Sequence, residues 1–142
     1  MGGIVMEQKD KELLLKDLCA RLPCGVKIKL IRWGIDEGLY INTTLEPDDI
    51  ERLLNDKEGD TEIKPYLFPL SSMTEEQYIE FITISGWNCD IGDIRRGKFP
   101  CISYIGLDYI YETIDWFNKN HFDYRGLLEK GLAINATGLN IY

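Results

Sequence analysis

The 142-residue chain has one histidine, and it sits in a run dense with reactive groups, Asn120-His121-Phe122-Asp123-Tyr124-Arg125. An imidazole titrates near neutral pH, a nearby carboxylate can orient it, and a phenol or guanidinium can steady developing negative charge. His121 and Asp123, with Tyr124 or Arg125 as electrostatic support, are therefore the candidate catalytic set of a small hydrolase. The structural alternative is a connector in which Asp123 caps the helix that follows. It is favoured, because no nucleophile or second acid stands at a spacing that would complete a catalytic constellation.

A second cluster, Arg95, Arg96 and Lys98, lies beside Gly92 and Gly97 and has the composition of a phosphate nest. It lacks the P-loop spacing and follows no buried strand, so a basic turn describes it better. It remains the place where a phosphate or nucleic acid would bind. With 24 Asp plus Glu against 16 Lys plus Arg, the formal net charge is -8, which repels a polyanion at long range. Asp90 and Asp93 cancel part of the local field, so nucleic acid is not the expected partner. Of the three tryptophans, Trp87 stands between Gly86 and polar Asn88 and is the candidate binding aromatic; Trp33 and Trp116 are expected in the core.

Metal chemistry finds no framework. Cys19, Cys24, Cys89 and Cys101 include no C-x2-C pair, and a zinc site would have to gather ligands from three distant segments. Reduced thiols packed as small hydrophobes are expected, although Cys19 and Cys24 could approach each other where the first helix ends. Asn88, Asp90 and Asp93 miss the EF-hand spacing, and Asp56, Glu58, Asp60 and Glu62 read as a solvated loop. No metal and no cofactor is expected.

These residues need a scaffold, and 44% hydrophobic with 11% aromatic residues is ample for one. At this length roughly 70% of the unfolded chain's surface is buried on folding, so residues 1–142 are expected to form one domain. No stretch approaches the ~20 apolar residues of a membrane span, and charges follow Met6 at once, leaving no secretory h-region. A cytoplasmic protein is expected. Residues 1–3 are set aside from the fold argument.

Leu14, Leu15, Leu18 and Leu22 predict a helix from about Met6 to Arg21, stopped by Pro23. Val26, Ile28 and Leu30, then Leu39, Ile41, Thr43 and Leu45, alternate as strands of an antiparallel hairpin. Pro47 stands at a tolerated early position of a short amphipathic helix given by Ile50, Leu53 and Leu54. Residues 63–70 hold two prolines and read as an edge strand or crossing segment. Ser72 and Glu75 form a capping-box pattern that starts a helix at Met73 and runs to Gly86. Residues 87–100 are irregular. Asp108 caps a helix carrying Ile110, Ile114 and Phe117, with Tyr111 and Trp116 on its flanks, and Asp123 caps a last one, Tyr124 to Lys130. The tail, 132–142, is apolar enough to dock. The fold class is α+β: a small, mainly antiparallel sheet of three or four strands packed against several helices.

Three long runs carry a resemblance: Lys16-Asp17-Leu18-Cys19-Ala20-Arg21-Leu22-Pro23, Lys64-Pro65-Tyr66-Leu67-Phe68-Pro69-Leu70-Ser71-Ser72-Met73-Thr74-Glu75-Glu76-Gln77, and His121-Phe122-Asp123-Tyr124-Arg125-Gly126-Leu127-Leu128-Glu129-Lys130-Gly131-Leu132-Ala133. In them the chain resembles a family of uncharacterised small proteins of gut anaerobic, Bacteroides-like bacteria and their phages or mobile elements. The resemblance implies a bacterial or phage setting and brings no activity, ligand or catalytic residue. The functional expectation is a non-enzymatic interaction or accessory module whose exposed aromatics and acids meet another protein.

Overall fold

The computed structural model describes residues 6–32, 39–57, 59–86, 89–98 and 107–142. Helix α1 (Gln8–Arg21) passes through a 3-10 turn at Leu22–Cys24 into strand β1 (Lys27–Arg32), and Gly25 makes the left-handed step between them at φ 67°. Strand β2 (Leu39–Thr44) pairs antiparallel with β1, Ile28 opposite Thr43 and Leu30 opposite Ile41. Helix α2 (Pro47–Asn55) follows, its first turn closed by the Glu46 N–H donating to Asp49 Oδ2 at 2.9 Å.

Strand β3 (Thr61–Pro69) is not an edge but the centre of the sheet. Its first half runs antiparallel to β1, with Ile28 opposite Pro65. Its second half pairs in parallel with two short strands, β4 (Phe122–Asp123) and β5 (Ile134–Asn135). The sheet is therefore five-stranded and mixed rather than mainly antiparallel.

The prolines are accommodated by ladder parity. The Lys27 N–H donates to the Tyr142 hydroxyl at 2.9 Å, and that hydroxyl donates to Tyr66 O at 2.7 Å. Tyr66 O thus faces β1, alternation turns the Pro65 nitrogen away from β1, and β5 begins only opposite Tyr66. Pro69 ends the strand.

Helix α3 (Glu75–Ser85) starts later than the Ser72 pattern predicts. The Ser72 hydroxyl donates to Pro69 O in a 3-10 turn, and Met73 is buried in an extended conformation. Thr74 is the cap instead, accepting from the Gln77 N–H at 3.1 Å while its own N–H donates to Gln77 Oε1. Gly86 closes α3 at φ 68°.

Within the stretch expected to be irregular, α4 (Ile91–Arg95) buries Ile94. Helix α5 (Leu107–Lys119) already contains Asp108 in its first turn; Phe117 of the expected stripe is buried, but Thr113 and Trp116 join it there while Ile110 and Ile114 are only half-buried. No helix forms over 124–130. Gly126 at φ 79° breaks the helical path, and the Asp123 carboxylate holds a turn by accepting from the N–H groups of Leu127 and Leu128.

Two apolar centres result. One lies between the sheet and helices α1 and α2, around Leu14, Leu18, Ile28, Leu53, Ile63 and Leu67. The other is aromatic, with Phe81, Trp116, Phe117 and Phe122 joined by Met73 and Ile94. At about 1.5–3 kcal/mol for each large side chain removed from water, these centres hold the helices on the sheet. The tail docks as expected, with Leu132 and Ala136 buried. No helix among the described residues is long and apolar enough to cross a membrane.

Candidate functional site

His121 follows directly on the end of α5, in a left-handed conformation at φ 61° that turns the chain into β4. Its carbonyl accepts from the Phe68 N–H at 2.8 Å, which fixes β4 against β3. The imidazole lies flat on the Tyr142 ring, centroids 3.7 Å apart and planes within 11°. Its Nδ1 is buried with no hydrogen-bond partner among the described residues. Burial, and then the Arg21 charge, pull the His121 pKa from 6.5 to about 4, so the ring is neutral at pH 7.

Asp123 does not orient it. Both carboxylate oxygens accept backbone N–H groups, Leu127 at 3.0 Å and Leu128 at 2.9 Å. The neighbouring pair is committed elsewhere as well. The Tyr124 hydroxyl donates to Asn118 Oδ1 at 2.9 Å, and the ring stacks on Phe117. Arg125 lies with its guanidinium carbon 5.0 Å from the centre of the Tyr124 ring.

What joins these residues is an ionic knot at Asp17 and Arg21. Both side chains are fully buried; Arg21 Nε donates to Asp17 Oδ2 at 2.8 Å, and Nη2 donates to Phe122 O at 2.6 Å. Arg21 also lies over the Tyr124 ring at 5.2 Å. Arg125 Nε stands 3.3 Å from Asp17 Oδ1 without hydrogen-bond alignment, so that contact is coulombic. Burial outweighs the arginines and holds the Asp17 carboxyl above its ordinary value. The knot ties α1 to β4. Its signal was present in the sequence, because Asp17 and Arg21 share the i, i+3, i+4, i+7 face of Leu14 and Leu18.

The basic cluster approaches the same region. Leu70, Arg95, Arg96 and Gly97 meet Asp123, Tyr124, Gly126 and Glu129 around a cavity of about 240 Å³. Arg95, however, points two donors, Nε and Nη2, at Met73 O, at 2.9 and 2.7 Å, and Arg96 pairs with Asp93 at 2.7 Å. Lys98 is exposed, with its backbone N–H donating to Asp93 O. The cavity mixes both signs of charge, and Arg95 serves mainly to fasten α4 to the turn before α3.

Trp87 lies outside the described residues, as do Trp33, Glu58, Asn88 and Cys101. Trp116 is core. Cys19, Cys24 and Cys89 are free thiols, and Cys19 is exposed rather than packed, because α1 turns it away from Leu14 and Leu18. Asp56 closes its own loop by accepting from the Asp60 and Thr61 N–H groups. Among the described residues no three His, Cys, Asp or Glu are grouped to hold a metal ion.

Among the described residues a different surface is open. Between α3 and α5 runs a groove of about 550 Å³ lined by Glu80, Glu112, Asp115 and Lys119, with Ile84 and Trp116 among its walls. Trp116 Nε1 donates to Glu80 Oε1 at 2.9 Å, which fixes one carboxylate at the rim. On the same two helices Ile79, Tyr109 and Tyr111 are 60%, 53% and 65% exposed, a large apolar surface for helices already anchored in the core. Sequence reasoning did not single out Glu80, Glu112 or Asp115, because Glu80 is on α3 and meets the α5 pair Glu112 and Asp115 only when the two helices pack together. Comparison with protein families, with curated proteins and with solved structures finds no match for the chain.

Proposed function

We propose that this protein is a non-enzymatic interaction module, an accessory protein of bacterial or phage origin, and that it engages a basic segment of another protein through the α3–α5 groove. The observation that carries the reading is the coincidence of three carboxylates, Glu80, Glu112 and Asp115, against the one lysine Lys119 in a groove between two helices that also expose Ile79, Tyr109 and Tyr111. A segment with lysines or arginines flanking one apolar anchor matches that surface in both charge and shape. The overall charge of -8 attracts the same partner at long range and repels nucleic acid. The hydrolase reading finds no comparable support, because His121 and Asp123 each face other groups.

Fluorescence anisotropy with a labelled peptide of alternating lysine and leucine tests it. Saturable binding that weakens as salt rises, and that falls at least five-fold in a Glu112→Lys/Asp115→Lys variant, is the expected result. Equal binding by that variant overturns the assignment of the groove.

A further inference from the structure

Among the described residues nothing pairs with the outer edge of β2, and that edge is self-complementary. The Leu45 N–H donates to Val26 O at 2.9 Å, continuing the β1–β2 register, so Leu39, Ile41 and Thr43 exchange hydrogen bonds with β1. Lys27, opposite Thr44, directs its N–H toward β3 through the Tyr142 hydroxyl, which fixes the same parity independently. The N–H and C=O groups of Tyr40, Asn42 and Thr44 therefore point away from the sheet, and no backbone of the described residues pairs with them.

Proteins usually guard such an edge with a lysine, a proline or a bulge. The strand Leu-Tyr-Ile-Asn-Thr-Thr contains none of these and no charge.

We infer that β2 is the seam of a homodimer, in which two copies of this chain join edge to edge, antiparallel, about a two-fold axis at Asn42. The three outward residues are symmetric about that point. Asn42 meets Asn42 of the second copy and Tyr40 meets Thr44, so every outward N–H and C=O finds a partner, two bonds per pair. A register shifted by one pair satisfies only two of the three outward residues of each copy. Absence of charge along the strand means that two chains, each of net charge -8, meet there without like charges directly opposed.

Sedimentation equilibrium over a concentration series into the hundreds of micromolar tests this, together with amide hydrogen exchange. The mass should rise from 16.4 kDa toward twice that value, and the amides of Tyr40, Asn42 and Thr44 should gain protection as it does. Asn42→Pro removes an outward N–H that β1 does not use, together with the Oδ1 that accepts from the Tyr66 hydroxyl at 2.7 Å; it should unfold cooperatively at a somewhat lower temperature and remain at monomer mass, whereas Tyr66→Phe, which loses the same side-chain bond, should still dimerise. Asn42→Lys places two like charges on the axis and should give the same result should the proline variant fold poorly. A wild-type chain that stays monomeric throughout, or a dimer whose Tyr40, Asn42 and Thr44 amides stay unprotected, overturns the inference.

Discussion

Arg21 is the residue on which the structure concentrates most. Its guanidinium reaches Asp17, Phe122 O and the Tyr124 ring from a fully buried position. Removing Arg21 leaves the buried Asp17 carboxylate with only the unaligned contact to Arg125, whereas removing both partners leaves no buried carboxylate to compensate. Arg21→Met should therefore cost about 3–5 kcal/mol in urea unfolding, and Asp17→Leu/Arg21→Met should recover most of that loss. A double variant as unstable as the single one would show that packing, not charge, dominates the knot. His121 gives a pH dependence of definite sign. Its folded pKa, about 4, lies below the unfolded 6.5, so its contribution is fully present above pH 6.5 and is lost as pH falls through about 4. The difference is worth ~3 kcal/mol for a fully buried ring and about half of that for this half-buried one. His121→Asn, tolerated at positive φ, should remove that part of the acid destabilisation when urea midpoints are compared between pH 6.5 and 4. An NMR titration that placed the His121 pKa at its ordinary value would contradict the assignment. Tyr142→Phe should cost about 1–2 kcal/mol, because it strips a donor–acceptor bridge from Lys27 N and Tyr66 O.

Among the elements, α1, the β1–β2 hairpin and α2 were legible in the sequence because local periodicity and the burial they receive agree. Leu14, Leu18, Ile28 and Leu53 are all in one core. Legibility failed where tertiary contacts chose between local options. Both Ser72 and Thr74 head a capping-box pattern, and buried Met73 selects the second, so Thr74→Ala should lower stability by about 1 kcal/mol in the same unfolding assay. A full loss from Ser72→Ala with none from Thr74→Ala would restore the earlier start. Two prolines argued against a central strand at 61–69, yet ladder parity and short partners on the second half accommodate them. The strands β4 and β5 have two residues each, too few for any period to announce them. In the candidate site, composition pointed to His121 and its neighbours, and geometry showed those groups bound to the fold. The acids of the groove belong to two helices whose pairing no local pattern encodes.

At the scale of the whole molecule, charge and shape are divided between regions. Opposed charges are drawn into the knot at Asp17 and Arg21 and the mixed cavity around Arg95 and Asp123, while an excess of acids and exposed aromatics lies along α3 and α5. That division is what the proposed function needs: an interior that holds its buried charges in pairs, and an outer groove in which three acids stand against one lysine. Adding the basic lysine–leucine peptide to 15N-labelled protein and following backbone amide shifts tests the division most directly. The account predicts saturating shifts confined to Glu80, Ile84, Glu112, Asp115, Trp116 and their neighbours, abolished in the Glu112→Lys/Asp115→Lys variant. Shifts centred instead on Arg95, Arg96, Asp123 and Tyr124, or scattered without saturation, would contradict it.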